Sequence, residues 1–532
     1  MSLPVSFRRQ ICARFGLPVL LAIIVMATLL LNSGCGGNSP GAPVLKGNTL
    51  VTIAFTGTAN DQLIQFDLAI QSITLTNKLG KTVTLVSGLQ PTEWMHVNGG
   101  AEPLVTVSIP QDIYTAATAT IGEADFSCSQ LTPLGGLDTS TFSYGQTPQA
   151  NVTVNLPAPI TVTGNTMGLV LNLLVAQSQM YSACYLNGID PFSITPTFNL
   201  APFASSSLPA GIGFGTVAGL NGQVTSINGA GNAFVVSLPE LENPRSISVS
   251  SAAGTSYQGI SGFSALTVGT FINMDGAIQS DGSVVASRVA VEDVTATSVV
   301  TGPLLYVSDA EPAVFMWGRQ QQGSLFNGSF VFGANAFSFG NAAFQVSGQV
   351  SNLQDLPFIA SFTGSNMVPG QNLYIATSSL VSNGGFPYTP LSSVTLISQT
   401  IDGTVTGSSN TGNFTVYTVE LAPYDLFPVL AVQQGQASLL NNPSEVEVYV
   451  DANTRQLNSQ PLASGSTLRF YGLIFNDNGT LRMDCAQIND GVSVTPLPAS
   501  AASHLEKGVS RVIPSKSLGL RGYINRLITP SQ

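Results

Sequence analysis

Apolar and polar residues alternate with a period of two along most of the chain between residues 47 and 492. Thr49 to Phe55 and Val152 to Leu156 carry apolar side chains at every second position, which is typical of a strand with one buried face. Gly168 to Val175 is almost continuously apolar, as expected for a strand buried on both faces. Turns rich in Gly and Pro separate these short segments, and no helical period persists. The pattern predicts an all-β protein.

Residues 47–203 form the first predicted domain. Short alternating strands separated by Gly and Pro turns favour a β-sandwich here. Phe66 to Leu75, Gly80 to Leu85, and Val107 to Pro110 before Tyr114 carry a resemblance to an uncharacterised domain family found at the front of bacterial surface lipoproteins. Asp112-Ile113 stands where that family usually has Gly before the Tyr. The resemblance implies a β-sandwich and no known activity.

The chain beyond residue 216 contains an internal repeat. Gly222-Gln223-Val224-Thr225 matches Gly403-Thr404-Val405-Thr406, and Asp281-Gly282-Ser283 matches Asn478-Gly479-Thr480. Val368 to Ile375 indicates a degenerate middle copy with insertions. Asp-Gly and Asn-Gly between alternating strands are typical of two-residue hairpins. We therefore expect three small β-barrel-like domains after a linker at 204–216, namely residues 217–296, 297–398 and 399–492.

These repeats also resemble a known family. The Gly-x-Val-Thr opening and the Asp-Gly-Ser hairpin are similar to a second uncharacterised family of small β domains. Its members are common in exported bacterial proteins and often occur in tandem. The resemblance implies a fold and no activity. The expected architecture is therefore a β-sandwich followed by about three small barrels.

The first 35 residues have the organisation of an export signal. Three arginines before residue 15 precede an apolar run from Leu17 to Leu31, which is shorter than the roughly 20 residues of a transmembrane helix. Asn32-Ser33-Gly34-Cys35 follows and resembles the lipobox of bacterial lipoproteins, although Asn32 replaces the usual Leu. The resemblance implies cleavage before Cys35 and a diacylglycerol on its sulfur. An ordinary signal with a coincidental Cys is the alternative.

Charge is distributed unevenly along the chain. Residues 36–503 hold 9 Lys and Arg against 27 Asp and Glu, a net charge of −18. Nucleic-acid binding needs basic patches, so the acidic body argues against a nucleic-acid partner. The Gly- and Ser-rich segment 36–46 is the expected tether. Residues 493–532 form a basic tail that we expect to be poorly ordered.

Cysteines and histidines are few. Cys128 and Cys184 fall in the same predicted domain, and export permits a disulfide between them. Cys485 is then left over and is expected to be a buried apolar residue. His96 and His504 are the only histidines, and no Cys-x-x-Cys pair occurs. We therefore expect no metal site and no cofactor.

Catalytic motifs are absent from the sequence. No Gly-x-Ser-x-Gly elbow and no phosphate-binding loop occur. Trp94 and His96 are the candidate ligand contacts, because an aromatic ring beside a His and Glu93 can form a sugar-binding corner. A half-buried strand with a satisfied His is the commoner outcome. Carboxylate pairs two residues apart, which share a strand face and could act together or simply face solvent, occur at Glu123/Asp125, Glu240/Glu242 and Glu445/Glu447. Glu292 and Asp293 are adjacent and would point to opposite faces.

We expect a lipid-anchored, non-catalytic protein of the cell envelope, in the outer membrane, which acts as a scaffold or an adhesive binding module. Its partners would be the membrane, through the lipid, and a glycan or surface protein. A carbohydrate- or small-ligand-binding protein is the alternative, and exposed clustering of Trp94, Tyr114 and Tyr181 would favour it. A carboxylate-dependent hydrolase is a second alternative, favoured by two carboxyl groups about 5–9 Å apart in a cleft. Trp317 lies in an exposed apolar loop or in local core.

Overall fold

The fold is described from a computed structural model. The predicted signal peptide, Cys35, Cys184, Tyr181 and the basic tail lie outside the residues that it describes. Among the described residues, no helix is long and apolar enough to cross a membrane. The described ranges are 45–58, 63–88, 91–97, 100–129, 142–147, 150–174, 196–203, 215–238, 245–279, 281–293, 298–308, 312–323, 334–347, 353–378, 388–421, 425–433, 436–456 and 458–490.

Eleven described strands form the first domain. They are β1 (Asn48–Thr58), β2 (Leu63–Asn77), β3 (Thr82–Ser87), β4 (Pro91–Glu93), β5 (Glu102–Pro110), β6 (Asp112–Ser129), β7 (Phe142–Thr147), β8 (Ala150–Asn155), β9 (Ile160–Val162), β10 (Thr166–Leu174) and β11 (Phe198–Pro202). Hydrogen bonds join them into one sheet in the order β3-β2-β6-β8-β11-β10-β1-β5. Of the remaining strands, β4 pairs with β2, and β7 and β9 pair with β6.

One core fills the first domain. The alternating pattern turns Val51, Ile53 and Phe55 of β1 inward, and all three are fully buried. Trp94 packs edge-on against Phe55, with ring centroids 4.9 Å apart. The two ends of the sheet, β3 and β5, contact each other. The sheet therefore curls around its core.

The strand β10 corrects one expectation. Leu169, Leu171 and Leu173 are almost fully buried, whereas Val170 and Asn172 on the other face are half-buried. Only one face of this apolar segment is therefore fully enclosed. Its apolar character is explained by its central place, between β1 and β11.

The first copy of the repeat is a closed five-stranded barrel. Its strands are β12 (Gly215–Asn228), β13 (Ala233–Ser237), β14 (Ser246–Gln258), β15 (Phe271–Ile278) and β16 (Val284–Asp293). They follow the order β12-β13-β14-β16-β15 and return to β12. Four of the five pairings are antiparallel, and β14 pairs with β16 in parallel. The barrel interior is lined by its own apolar core.

The middle copy has the same order with several strands broken into segments. They are β17 (Ser298–Val307), β18 (Ala313–Trp317), β19 (Gln320–Gly323), β20 (Ala334–Ser338), β21 (Ala343–Val346), β22 (Asn372–Thr377), β23 (Thr389–Pro390) and β24 (Ser393–Leu396). The first strand, β17, pairs with β18, β19 and β22. The parallel pairings β20 with β23 and β21 with β24 join the third strand to the fifth.

The third copy repeats this closure. It contains β25 (Gln399–Thr411), β26 (Phe414–Leu421), the helix α1 (Leu426–Gln433), β27 (Glu445–Val450), β28 (Arg455–Gln456), β29 (Thr467–Asp477) and β30 (Thr480–Asp490). The ring runs β25-β26-β27-β30-β29 and returns to β25, with β27 and β30 parallel. A five-stranded barrel in this order has the topology of the OB-fold. That fold hosts many functions and by itself indicates none.

A shared glycine arch relates the three copies. Gly269, Gly370 and Gly465 precede the fourth strand and have φ values of 91°, 102° and 90°. These left-handed values favour glycine, because a Cβ atom is strained there. In each copy the glycine N–H donates to a carbonyl of the first strand at 2.8 Å. The acceptors are Val224, Leu304 and Val405.

The predicted all-β class is confirmed, and the hairpins differ in one detail. Asn478 and Gly479 have φ values of 52° and 89° between the paired residues Asp477 and Thr480, so this two-residue turn is confirmed. The Asp281-Gly282 turn is one residue longer than predicted, because Gln279 N–H donates to Ser283 O at 2.7 Å across three residues. A three-residue loop with a left-handed glycine is the next commonest hairpin.

Candidate functional site

A cluster of ionisable side chains lies where the first domain meets the first copy. His96 Nδ1 is 3.3 Å from Glu93 Oε2, and its Nε2 is 3.1 Å from Glu102 Oε1. Arg245 Nη2 donates to the other oxygen of Glu102 at 2.7 Å. Two carboxylates therefore face two cationic groups in a buried row. We call these four residues the junction cluster.

The turn after β4 positions Glu93 and His96. Glu93 Oε1 accepts from the backbone N–H groups of Phe66 and Met95 at 3.1 and 2.9 Å. Its Oε2 accepts from the N–H of His96 at 2.8 Å. Three backbone donors thus fix the carboxylate and the turn together. The His96 side chain is held at the start of β5, where Glu102 lies.

Arg245 comes from the other side of the junction. It directly precedes β14 and reaches back to the first domain, where Nη1 donates to Pro103 O at 2.5 Å. Its guanidinium lies over the Phe55 ring, 4.7 Å from the centroid. Arginine suits this place because its fork binds a carboxylate and its face stacks on an aromatic ring.

Burial and charge oppose each other in the junction cluster. Burial alone would lower the pKa of His96, but the carboxylates of Glu102 and Glu93 outweigh it and raise the pKa to about 10. Burial would raise the pKa of Glu102, but His96 and Arg245 lower it to about 2. His96 is therefore protonated and Glu102 ionised at neutral pH.

Two small adjoining cavities border the cluster, of about 40 and 30 Å³. They share His96, Arg319, Asn372, Ser398 and Tyr471. The larger cavity is also lined by Gly219 and Asn221 of the first copy, so residues from all four sheets meet there. A water molecule needs roughly 10–15 Å³ of such space. The cavities have room for a few water molecules.

A second polar layer lies beside the cavities, within the first copy. Arg288 Nε is 2.6 Å from Asp275 Oδ2, and Asp275 Oδ1 accepts from the N–H of Gly219 at 2.7 Å. Asn273 donates to Asn221 at 2.8 Å and also accepts from Arg288. Burial and the charge of Asp275 raise the pKa of Tyr471, which remains a neutral phenol. The buried space between the first domain and the copies is therefore lined by polar side chains.

The charged groups of the junction cluster are engaged with one another and with the backbone. The carboxylates of Glu93 and Glu102 are occupied by backbone donors, His96 and Arg245. His96 is a cation and offers no basic nitrogen at neutral pH. Among the described residues, no group of three or more His, Cys, Asp or Glu side chains could hold a metal ion.

The two candidate ligand contacts separate in the structure. Trp94 is 1 % exposed and packs in the core between Phe55 and Phe198, so its ring offers no exposed platform for a sugar. Tyr114 is also buried and donates to Pro110 O at 2.9 Å. His96 does line both cavities.

The other sequence candidates have mixed outcomes. Trp317 belongs to local core: it is buried in β18, and its indole N–H donates to Gln65 Oε1 at 2.6 Å. Cys485 is free and buried, as expected. Cys128 lies in β6, but its expected partner is outside the described residues, so the disulfide stays a prediction.

Among the carboxylate pairs, one can be described in full. Glu447 is 3.3 Å from Arg482 Nε, while Glu445 is exposed on the same strand. They therefore do not form an enclosed pair. The side chains of the other three pairs, Glu123/Asp125, Glu240/Glu242 and Glu292/Asp293, lie outside the described part of the chain.

Sequence reasoning missed Glu102 and Arg245. Glu102 opens β5 next to Pro103, and Arg245 follows Pro244, so both resemble ordinary strand-edge charges. Their signal is scarcity, because only nine basic residues occur between 36 and 503. A rare arginine in an apolar body is a candidate for a buried ion pair.

Comparison with known families finds one match. Residues 221–290 match the family described as Domain of unknown function (DUF5666). The matched segment lies in the first copy, between β12 and β16, and agrees with the expected resemblance to an uncharacterised family. No curated protein and no solved structure matches the chain.

Proposed function

We propose that this protein is a non-catalytic, lipid-anchored scaffold of the bacterial cell envelope, in the outer membrane, which displays a binding surface. The observation that carries the proposal is the junction cluster. Its carboxylates and cationic groups contact one another across two sheets, and the adjoining cavities have room for a few waters. Such a cluster supports rigidity.

Further bonds between sheets support a rigid body. Trp317 of the middle copy donates to Gln65 of the first domain at 2.6 Å. Gln436 of the third copy accepts from the N–H of Val307 in the middle copy at 3.1 Å. Ser347 donates to Asn273 of the first copy at 3.5 Å. A rigid body projects a surface at a fixed distance from its anchor.

The alternative of carbohydrate binding lacks support from the described residues. Trp94 and Tyr114, two of the three aromatic side chains that would favour it, are buried. A hydrolase would need a carboxylic acid that gives up a proton near neutral pH. The pKa of Glu102 is lowered, away from that role. A surface protein is therefore the partner class that we propose for the displayed surface.

Anchoring is tested by mass spectrometry of the protein from its native host, with wild type beside Cys35→Ser. We expect a mature N-terminus at Cys35 that carries diacylglycerol, and a soluble Cys35→Ser protein. A wild-type protein that begins elsewhere and carries no lipid contradicts the anchor. For catalysis, His96→Gln and Glu102→Gln are compared with wild type in glycan-binding and glycan-hydrolysis screens. Hydrolysis that either substitution abolishes contradicts the scaffold.

A further inference from the structure

The arginines and lysines of the folded body differ in their exposure to solvent. Between Asn48 and Asp490 the sequence has six arginines and two lysines, Lys78 and Lys81. Both lysines are exposed, and neither forms an ion pair with another described residue. The arginines are buried or half-buried, at Arg245, Arg288, Arg319, Arg455, Arg469 and Arg482. The exposed positive charge of the body is therefore concentrated on one turn.

That turn also carries the most exposed large apolar side chain in the described part of the chain. Leu79 is 91 % exposed between the two lysines. Asn77 Oδ1 accepts from the backbone N–H groups of Leu79 and Lys81 at 2.9 and 2.8 Å. Gly80 has a φ of 78°, which closes the turn. The structure thus holds Leu79 outward in an ordered turn, and we call residues 78–81 the Leu79 tip.

The Leu79 tip lies at the end of the first domain where the chain enters it. Asn48, the first residue of β1, pairs with Pro110 at the end of β5. Asp112, two residues later, accepts from Asn77 Nδ2 at 2.7 Å. The entry point and the tip are therefore joined through one corner. A third lysine, Lys46, precedes Asn48 by two residues.

We propose that the Leu79 tip rests on the anionic surface of the lipid bilayer, with Leu79 in the headgroup boundary and the lysines against lipid phosphates. This inference rests on the proposed lipid at Cys35. Twelve residues lie between Cys35 and Asn48, which corresponds to a typical reach of about 20 Å for a Gly- and Ser-rich chain. An anchored tether therefore keeps this end of the domain at the membrane.

Charge complementarity selects a lipid surface. The body carries a net negative charge, so an anionic bilayer repels it as a whole and attracts its exposed lysines. Asp112 is the one acidic group shown to act on the tip: its hydrogen bond from Asn77 and the charge of Lys81 lower its pKa. Two lysines against one aspartate leave the tip cationic. The tip would therefore orient the body with its acidic surface away from the lipid.

The test is tryptophan quenching by brominated lipids. Lipidated Leu79→Trp protein is reconstituted into vesicles of phosphatidylethanolamine and phosphatidylglycerol, with and without brominated acyl chains. Val268→Trp is the matched control, because Val268 is 62 % exposed in a loop of the first copy. The native Trp94 and Trp317 are buried and give a constant background. We expect loss of the added emission at position 79 and none at position 268.

The charges are tested in the same Leu79→Trp background. Lys78→Gln with Lys81→Gln should reduce the quenching at least twofold, since each lysine near an anionic surface contributes roughly fivefold in affinity (about 1 kcal/mol). Lys78→Arg with Lys81→Arg should keep it. Mass spectrometry of the same samples shows whether lipid is present, so a failed anchor is recognised separately. Lipidated protein without quenching at 79, or with equal quenching at 268, overturns the inference.

Discussion

Arg245 and Arg482 have similar partners in different surroundings. Each contacts at least one carboxylate and lies over an aromatic ring: Arg245 over Phe55 at 4.7 Å, and Arg482 over Phe358 at 5.8 Å. The side chain of Arg245 is 7 % exposed, and that of Arg482 is 24 % exposed. The first pair joins two domains, whereas the second lies near the surface of the third copy. Burial therefore separates two otherwise similar ion clusters.

The surface cluster has more partners and weaker geometry. Arg482 is 3.3 Å from Glu447 and 3.3 Å from Asp477, whereas Arg245 is 2.7 Å from Glu102. Water shares the charges of a half-exposed pair, so such pairs contribute little. Removing one partner of a buried pair leaves a charge without compensation. The comparison indicates that the cost of losing an ion pair depends on whether the remaining charge is buried or reached by water.

The largest expected effect is that of Arg245→Met. The substitution keeps the length and apolar contact with Phe55 but leaves Glu102 with His96 as its only cation. We expect a loss of about 3–5 kcal/mol in the free energy of unfolding, measured by urea denaturation. Adding Glu102→Gln should restore part of it, because the stranded charge is then gone. A loss no greater than that of Arg482→Gln would contradict the comparison.

A pH dependence should follow from His96. Its pKa is about 10 in the folded protein against about 6.5 when unfolded. The contribution of His96 to stability is therefore fully present below pH 6.5 and is lost as the pH rises through 10. Glu102, with a folded pKa of about 2, contributes above pH 4.5 and loses this contribution as the pH falls toward 2. The cluster stabilises most between about pH 4.5 and 6.5.

Two measurements check this dependence. The midpoint temperature of thermal unfolding should decrease as the pH is raised from 6.5 to 10. His96→Gln should make this decrease less steep. The chain has only two histidines, so NMR of isotope-labelled histidine gives one assignable signal for each. Glu102→Gln should lower the pKa of His96, since its nearest carboxylate is removed. A His96 signal that titrates near 6.5 in the wild type would be incompatible with the buried cation.

The smallest expected effect is that of Arg482→Gln. Its partner Glu447 is 32 % exposed, regains water when the guanidinium is removed, and keeps the hydrogen bond from Tyr449 at 3.0 Å. Its other partner, Asp477, keeps the hydrogen bond from Asn478 at 3.0 Å. We expect the free energy of unfolding to fall by at most about 1 kcal/mol. In 0.5 M salt this difference between wild type and Arg482→Gln should be smaller, because salt screens the ion pair in the wild type. Urea denaturation at two salt concentrations measures it. A loss comparable to Arg245→Met would show that exposure does not separate the clusters.

Local patterns of the sequence were sufficient for the fold class and several elements. The alternation in β1 set its inward face, and Asn478-Gly479 specified a two-residue turn because both positions need positive φ. Cys485, the cysteine left over from the predicted pair of Cys128 and Cys184, is buried as predicted. Each of these features depends on neighbouring residues, which a sequence displays directly.

The junction cluster could not be predicted in the same way. Glu102 and Arg245 are 143 residues apart in the chain, and no local pattern relates them. Trp94 and His96 follow Glu93 by one and three residues, yet Trp94 packs in the core and His96 lines the junction cavities. Gly282 shows the same limit: its position beside Thr106 of β5 depends on domain packing.

The parallel strand pairing inside each barrel affects the order in which the chain can fold during synthesis. Synthesis delivers a chain from its N-terminus, and β14 must wait for β16, as β27 must wait for β30, before the ring can close. The first domain likewise completes its sheet before Arg245 has been made. For that interval Glu93 and Glu102 have one cationic partner, His96, and the junction face of the nascent first domain carries an excess negative charge. The charge is neutralised only by the arrival of its neighbour, which makes the two domains successive steps of one assembly.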